Sequence, residues 1–338
     1  MNILLHMGQG KTGTTALQRA LHGSAAALAA AGVLYPAMPD AAFAHHLFLT
    51  LCEDDAHIAP HVTRYHGGLD KARAAAQVRW ATLQTEIAAS PPETLILSSE
   101  TFIFGARAEG KHRLARLLAQ LSAPVTPIIY IREPVGLYLS RLQEKMRVAV
   151  TPLPPAPQMI RAAIEQTIAA FGRMPVLVAY DPATLTGGDT PRDFFARFLP
   201  GKPDPAAVPP DHENRSLSGE ATLALARYRA DHLAGRDWEP DRDASRFEHR
   251  LRRIDGRLPP RKARLAADIA AAILRGSSDY LWLRDACGLK FPGLDYDRID
   301  GTPVPETLRN APLARILHTD PTTLGRLIRR VKKAPVPR

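Results

Sequence analysis

The decapeptide 6-HMGQGKTGTT-15 places three glycines, a lysine and three threonines directly behind the short apolar run 2-NILL-5. A strand that feeds a glycine-rich turn and then a helix offers backbone N–H groups to an anion, and the helix dipole favours negative charge at that end. Gly8, Gly10 and Gly13 permit the tight turn, Lys11 adds a point charge, and Thr14 and Thr15 add hydroxyl donors. Gly10-Lys11-Thr12 also spells the last three residues of the nucleotide P-loop. The residue five before Gly10, however, is Leu5 and not the glycine that opens that loop. The turn therefore fits a site for a phosphate-like group, or a plain β–α turn with a threonine at the helix start.

A second anion-type arrangement lies in 128-IIYIREPVGLYLSRLQEKMR-147. Arg132 leaves the end of an apolar run, and Ser140 follows eight residues later, about two turns into the next helix. A planar guanidinium grips a phosphate bidentately and a hydroxyl adds a short bond. The alternative pairs Arg132 with Glu133 and leaves Ser140 as an ordinary helix residue. Three residues could take a proton: His45 and His46 in 41-AAFAHHLF-48, and Glu100 closing 95-LILSSE-100. Imidazole titrates near neutrality, while Glu100 could equally cap the helix beginning at 101-TFIF-104. His57, His61 and His66 have spacings that could gather zinc, but Pro60 interrupts any helix there and no metal site is expected.

The elements that must position these residues alternate along the first 200 positions. Strand-like runs are 2–7, 33–36, 94–99, 126–131 and 175–180, and helical segments cover about 14–31, 69–89, 111–121, 134–149 and 157–172. Nearly continuous apolar strands separated by helices predict an α/β fold with a doubly wound, mainly parallel sheet. Ligands bind at the carboxyl ends of the strands in such sheets, where Lys11, Glu100 and Arg132 fall. Pro-rich stretches at 151–158 and 200–211 read as loops. The second separates an α/β core, residues 1–210, from a helical extension over 211–324 packed on the same domain. Helices are expected at 217–235 and 259–286, with Trp238, Tyr280 and Trp282 as packing anchors.

The chain has 338 residues and an ordinary apolar share of 45 %, which excludes wholesale disorder. Its only cysteines, Cys52 and Cys287, suit a reducing compartment. With no signal-peptide pattern or membrane span, a cytoplasmic protein is expected. Six of the ten net positive charges sit in the last fourteen residues, a basic tail over 325–338. Leu324, Leu327, Ile328 and Val331 recur there at helical spacing. The tail either docks on the body, the favoured reading, or makes a weak membrane-surface contact. Basic stripes interleaved with aromatics are lacking, so nucleic acid is not expected as a partner.

The stretch 7-MGQGKTGTTALQRAL-21 with 32-GVLYP-36 resembles the 5′-phosphosulfate loop of sulfotransferases that use 3′-phosphoadenosine 5′-phosphosulfate (PAPS). That loop usually reads Pro-Lys-Thr/Ser-Gly-Thr-Thr/Ser and lacks the first glycine of the nucleotide P-loop; here Gly10 stands in place of the proline. Arg132 and Ser140 match the spacing of the family's 3′-phosphate motif. The segments 95-LILSSETF-102, 213-ENRSLSGEATLALAR-227 and 41-AAFAHHLF-48 resemble bacterial members, so the likeness covers roughly residues 1–230. It implies a P-loop NTPase-like fold, PAPS as donor, and a hydroxyl or amine acceptor such as a glycan or small metabolite. Gly10, Lys11, Thr12, Gly13, Thr14, Thr15, Arg132 and Ser140 would bind the donor, with Lys11 beside the bridging oxygen. His46, then Glu100, then His45 rank as base. Asn214, Arg215 and Ser216 would close over the nucleotide or cap the next helix. The rival readings are a P-loop kinase or NTPase, and a nucleotide- or polyanion-binding module without turnover.

Overall fold

A computed structural model describes residues 1–39, 43–203, 216–237, 241–258 and 262–333. Its sheet strands are β1 (Asn2–His6), β2 (Val33–Leu34), β3 (Thr94–Ser98), β4 (Val125–Arg132) and β5 (Val176–Tyr180). The longer helices are α1 (Thr14–Gly23), α2 (Leu69–Ala89), α3 (Ala108–Ala119), α4 (Pro134–Met146), α5 (Arg161–Phe171), α6 (Thr190–Phe198), α7 (Gly219–His232), α8 (Arg242–Asp255), α9 (Ala267–Arg275), α10 (Asp279–Cys287) and α11 (Pro321–Lys333). Residues cluster into two compact units. One comprises Met1–Arg132, Ile160–Asp211 and Trp282–Pro292; the other comprises Glu133–Met159, His212–Leu281 and Gly293–Arg338.

The first unit holds a five-stranded sheet in the order β2-β3-β1-β4-β5, with every neighbouring pair parallel. The apolar runs explain this. Leu95, Ile96 and Leu97 of β3 and Ile128 to Ile131 of β4 are buried, as parallel strands covered on both faces require. The chain leaves β1 toward the β2 edge, whereas the connections after β3 and β4 lead toward the β5 edge. Strand direction of travel thus reverses at β1, and the crevice at its carboxyl end is where such sheets take ligands. Leu17 and Leu21 of α1 and Phe194 and Phe195 of α6 pack with Ile96, Ile128 and Val178 in one core.

In the second unit α4, α7, α8, α9 and α11 share a core that includes Leu142, Leu223, Leu251, Ile273 and Leu327. Leu324, Leu327 and Val331 of α11 are buried in it, so the apolar stripe of the basic tail is docked. The boundary expected at 324/325 falls inside this helix. Asp320 starts α11 by accepting from Thr323 N at 3.0 Å. Arg229 is only 1 % exposed; its Nη1 and Nη2 donate to Arg147 O at 3.1 Å and Val148 O at 2.9 Å, closing the last turn of α4.

Two expectations change. The segment 259–286 is not one helix: a two-residue strand, Arg264–Leu265, pairs with Leu317–His318, and the helical part breaks between α9 and α10. The helix expected over 14–31 is broken at Ser24, which ends α1 and caps a second, six-residue helix over Ala25–Ala30. Tyr280 is buried, Trp282 is half-buried under the Arg161 guanidinium, and Trp238 lies outside the described residues. No described helix is long and apolar enough to cross a membrane.

Candidate functional site

Leu5, at the position of the missing glycine, is buried inside β1 and pairs with Leu97 and Pro127. The turn therefore opens only after His6, and it is short. Lys11 adopts a left-handed backbone, φ 70°, and Gly13 another, φ 79°. Such alternation shapes anion-binding concavities, and a left-handed lysine is strained enough to suggest a functional role. Gly13 occupies the N-cap position of α1 without a side-chain cap, so the first N–H groups of the helix are left for another acceptor. Residue 13 must be glycine for a second reason: a Cβ there would lie 2.5 Å from Thr190 Oγ1. Thr190, opening α6, donates to Thr12 O at 2.7 Å, while Thr12 Oγ1 donates to Gln9 O at 2.6 Å. Thr12 is thus turned into the turn's own framework. Thr14 is buried and Thr15 exposed.

Arg132, at the end of β4, comes to the same turn. Its Nη1 donates to Lys11 O at 3.2 Å, its backbone N–H donates to Gln9 Oε1 at 2.9 Å, and its guanidinium lies 5.5 Å from the Tyr180 ring centroid. Lys11 and Arg132 are therefore brought together by β1 and β4, adjacent strands. Ser140 is half-buried on α4, in the second unit. Glu133 spends its carboxylate on the N-terminus of α4, accepting from Val135 N at 2.9 Å and from Gly136 N.

The end of β3 supplies the other wall. Glu100 is exposed, and a Cβ on Gly10 would sit 3.7 Å from its Oε2, which puts the carboxylate beside the turn. It occupies the N-cap position of the helical turn Thr101–Phe104 but makes no side-chain cap bond; Ser99 Oγ accepts from Thr101 N instead, at 3.2 Å. The same Ser99 Oγ bonds His46 Nδ1 at 2.6 Å and Thr101 Oγ1 at 2.7 Å. His46 is half-buried, with the His61 ring edge-on at 6.2 Å.

His45 behaves differently from its neighbour. Its backbone N–H donates to Ser98 O at 2.9 Å, its Nδ1 accepts from Ser98 N at 2.9 Å, and its Nε2 is 3.0 Å from Pro36 O. Both ring nitrogens are occupied by backbone groups, and burial pushes the imidazole pKa down to about 4. His45 therefore leaves the set of candidate bases. It splices the 43–50 segment to the end of β3 and thereby sets His46 beside Ser99.

Among the described residues, Glu53, Asp54 and His57 form the one group close enough to share a metal ion. Its carboxylates already serve Arg113, which lies 2.8 Å from Asp54 and 3.7 Å from Glu53, and Arg107 N at 2.6 Å. His61 and His66 are not members. Asn214 and Arg215 lie outside the described residues, and Ser216 is exposed.

No protein-family model, curated protein or solved structure matches the chain. The site's supporting residues were not visible as such in the sequence. Gln9 and Ser98 are fully buried hubs, and Thr190 braces residue 12 from 178 positions away. The helix-start signal 189-DTP-191 marks Thr190 locally, but nothing local marks its partner.

Proposed function

We propose that the protein is a PAPS-dependent sulfotransferase acting on a hydroxyl or amine acceptor, such as a glycan or small metabolite, on a P-loop-like fold. The observation that carries this reading is the short, uncapped turn at α1 with Lys11 and Arg132 converging on it from adjacent strands. The buried Thr14 Oγ1, which has no hydrogen-bond partner at that turn, fits an oxyanion as well. PAPS, when bound, supplies the sulfuryl group and departs as 3′,5′-ADP. Gly13, Thr14 and Thr15 would offer N–H and hydroxyl donors to the 5′-phosphosulfate, and Arg132 would take the 3′-phosphate. Lys11 would meet the negative charge that grows on the leaving phosphate, the step at which a fixed cation helps most. His46 would accept the acceptor's proton, with Ser99 holding its Nδ1; Glu100 is the second candidate. Such a base contributes about 10²–10⁴-fold.

Thermal unfolding with 3′,5′-ADP, set against ATP with magnesium, tests the reading. A ligand at about 100 times its dissociation constant adds roughly 2.7 kcal/mol of stability. Stabilisation by 3′,5′-ADP that disappears in Lys11→Ala and Arg132→Ala supports it. Stabilisation by ATP with magnesium alone would replace it with a kinase or NTPase. Binding of 3′,5′-ADP without sulfation of any acceptor would leave a binding module.

A further inference from the structure

Unbalanced positive charge gathers on two helices of the second unit. On α8, Arg242 and Arg253 are exposed and Arg250 is half-buried, and Arg257 is exposed just past the helix end. None of the four has an ion-pair partner among the described residues, and Arg250 Nε is buried without any hydrogen bond. On α11, Arg326, Arg329 and Arg330 are exposed and likewise unpaired. The acids of α8 are spent elsewhere: Glu248 lies 2.7 Å from Arg252 and 2.8 Å from Arg147, Asp255 accepts from Ser218 Oγ at 2.7 Å, and Asp243 holds Arg246 at 3.2 Å. The sequence of α11 contains no acid. Exposed arginines of the first unit are treated differently: Arg116, Arg161 and Arg192 lie 2.9, 2.7 and 3.2 Å from Glu109, Glu165 and Asp189.

At about 100° per residue, positions 242, 246, 250 and 253 fall within an arc of about 80° on α8, and positions 326, 329 and 330 within about 100° on α11. The opposite faces, with Leu251 and Ile254 on α8 and Leu327 and Val331 on α11, lie in one shared core, and the two helices touch. Two rows of arginine on touching helices make a broad array and not a single track. No large apolar or aromatic side chain is exposed on either helix among the described residues; Phe247 is half-buried, its ring stacked on Tyr228 at 4.1 Å. The face thus lacks the stacking platform that grips a single nucleic-acid strand, and it lacks an apolar wedge that would enter acyl chains. We propose that α8 and α11 form a docking surface for an anionic lipid bilayer, held at the level of the headgroups by charge alone. A guanidinium fits a lipid phosphate bidentately, and lipids diffuse in their plane to meet fixed cations, so no cleft is required. The inference is independent of the anion turn in the first unit and of the sulfotransferase reading.

Sedimentation of the full chain with vesicles tests this, comparing phosphatidylcholine alone with phosphatidylcholine carrying phosphatidylglycerol. Binding is expected only to the anionic vesicles, with release at about 0.5 M salt, where screening shortens the reach of surface charge to a few ångströms. An arginine near an anionic bilayer is worth about fivefold in partitioning. The fourfold variant Arg250→Gln, Arg253→Gln, Arg326→Gln and Arg330→Gln should therefore lose about a hundredfold or more. A control that neutralises Arg116, Arg161, Arg192 and Arg284 removes the same net charge from the first unit and should lose less than tenfold. Circular dichroism of both variants checks that they are folded. Equal losses in the two variants overturn the inference, because net charge and not this face would then govern binding. Equal binding to both kinds of vesicle, or binding to neither, overturns it as well. Retention on heparin or duplex DNA without binding to anionic vesicles would replace the bilayer with a soluble polyanion.

Discussion

The two units bury polar side chains for different ends. In the first, His6, Gln9, Thr12, Thr14, His45, Ser98 and Ser99 are all buried, and they crowd around the carboxyl ends of β1 and β3. In the second, the buried polar groups close helix ends: Arg229 finishes α4, Ser218 caps α7 by accepting from Ala221 N at 3.1 Å, and Glu220 accepts from Asp320 N at 2.9 Å. Charge is divided as unequally. The first unit carries 18 Lys/Arg against 16 Asp/Glu, the second 26 against 18. The basic character of the chain thus belongs mostly to the helical unit, whereas the two cations at the candidate site sit in the nearly neutral one. Local placement, and not net charge, is what the proposed anion site rests on.

Acid should separate the two most strongly. His6 and His45, with folded pKa values of about 3 and 4 against an ordinary 6.5, are both in the first unit. Between those values and 6.5 the unfolded chain binds more protons than the folded one. Stability is therefore complete above about pH 6.5 and falls as pH drops through that window. From neutrality to about pH 5 the loss is on the order of 2 kcal/mol per histidine. Urea unfolding at the two pH values reads the total, and hydrogen exchange should place the earliest loss of protection in β1 and β3. Exchange that quickens first in α7 and α8 would contradict the assignment.

Arg229→Met should strike the other unit. It leaves two carbonyls at the end of α4 without their donor and costs about 3 kcal/mol, while 3′,5′-ADP affinity stays unchanged. A drop in affinity would show that the units are coupled more closely than their separate cores suggest. Gly13→Ala combines a left-handed φ with a Cβ against Thr190, for a loss of about 2 kcal/mol and of the ligand-induced stabilisation. Wild-type ligand stabilisation in that variant would mean that the turn is not the site. The smallest effect belongs to Arg253→Ala, an exposed position on α8, within about 0.5 kcal/mol by chemical denaturation.

The strands and long helices of the first unit could be read from apolar periodicity, because parallel strands leave near-continuous apolar runs; the expected helix 69–89 matches α2 residue for residue. Lys11, Glu100 and Arg132 could be placed at strand ends for the same reason. The difference between His45 and His46 could not. Both are histidines with similar neighbours, and what separates them is contact with Ser98 and Ser99, 53 positions away. The same limit hid the anchoring of the buried His6, whose partner Ser98 is 92 residues on. In the helical unit, the break inside 259–286 went unread because alanine and leucine continue helically past a pairing with residues 317–318.

Thr12 and Thr190 have one more consequence. The shape of the turn is enforced by the start of a helix that the ribosome makes 178 residues later, and Arg132 adds a clamp from 121 residues on. The ten letters from His6 to Thr15 are accordingly not a cassette that could be transplanted onto another strand and helix. Grafted elsewhere, they would keep their glycines and lysine but lose the walls that hold them, and a nascent chain halted before α6 would carry the motif without its form.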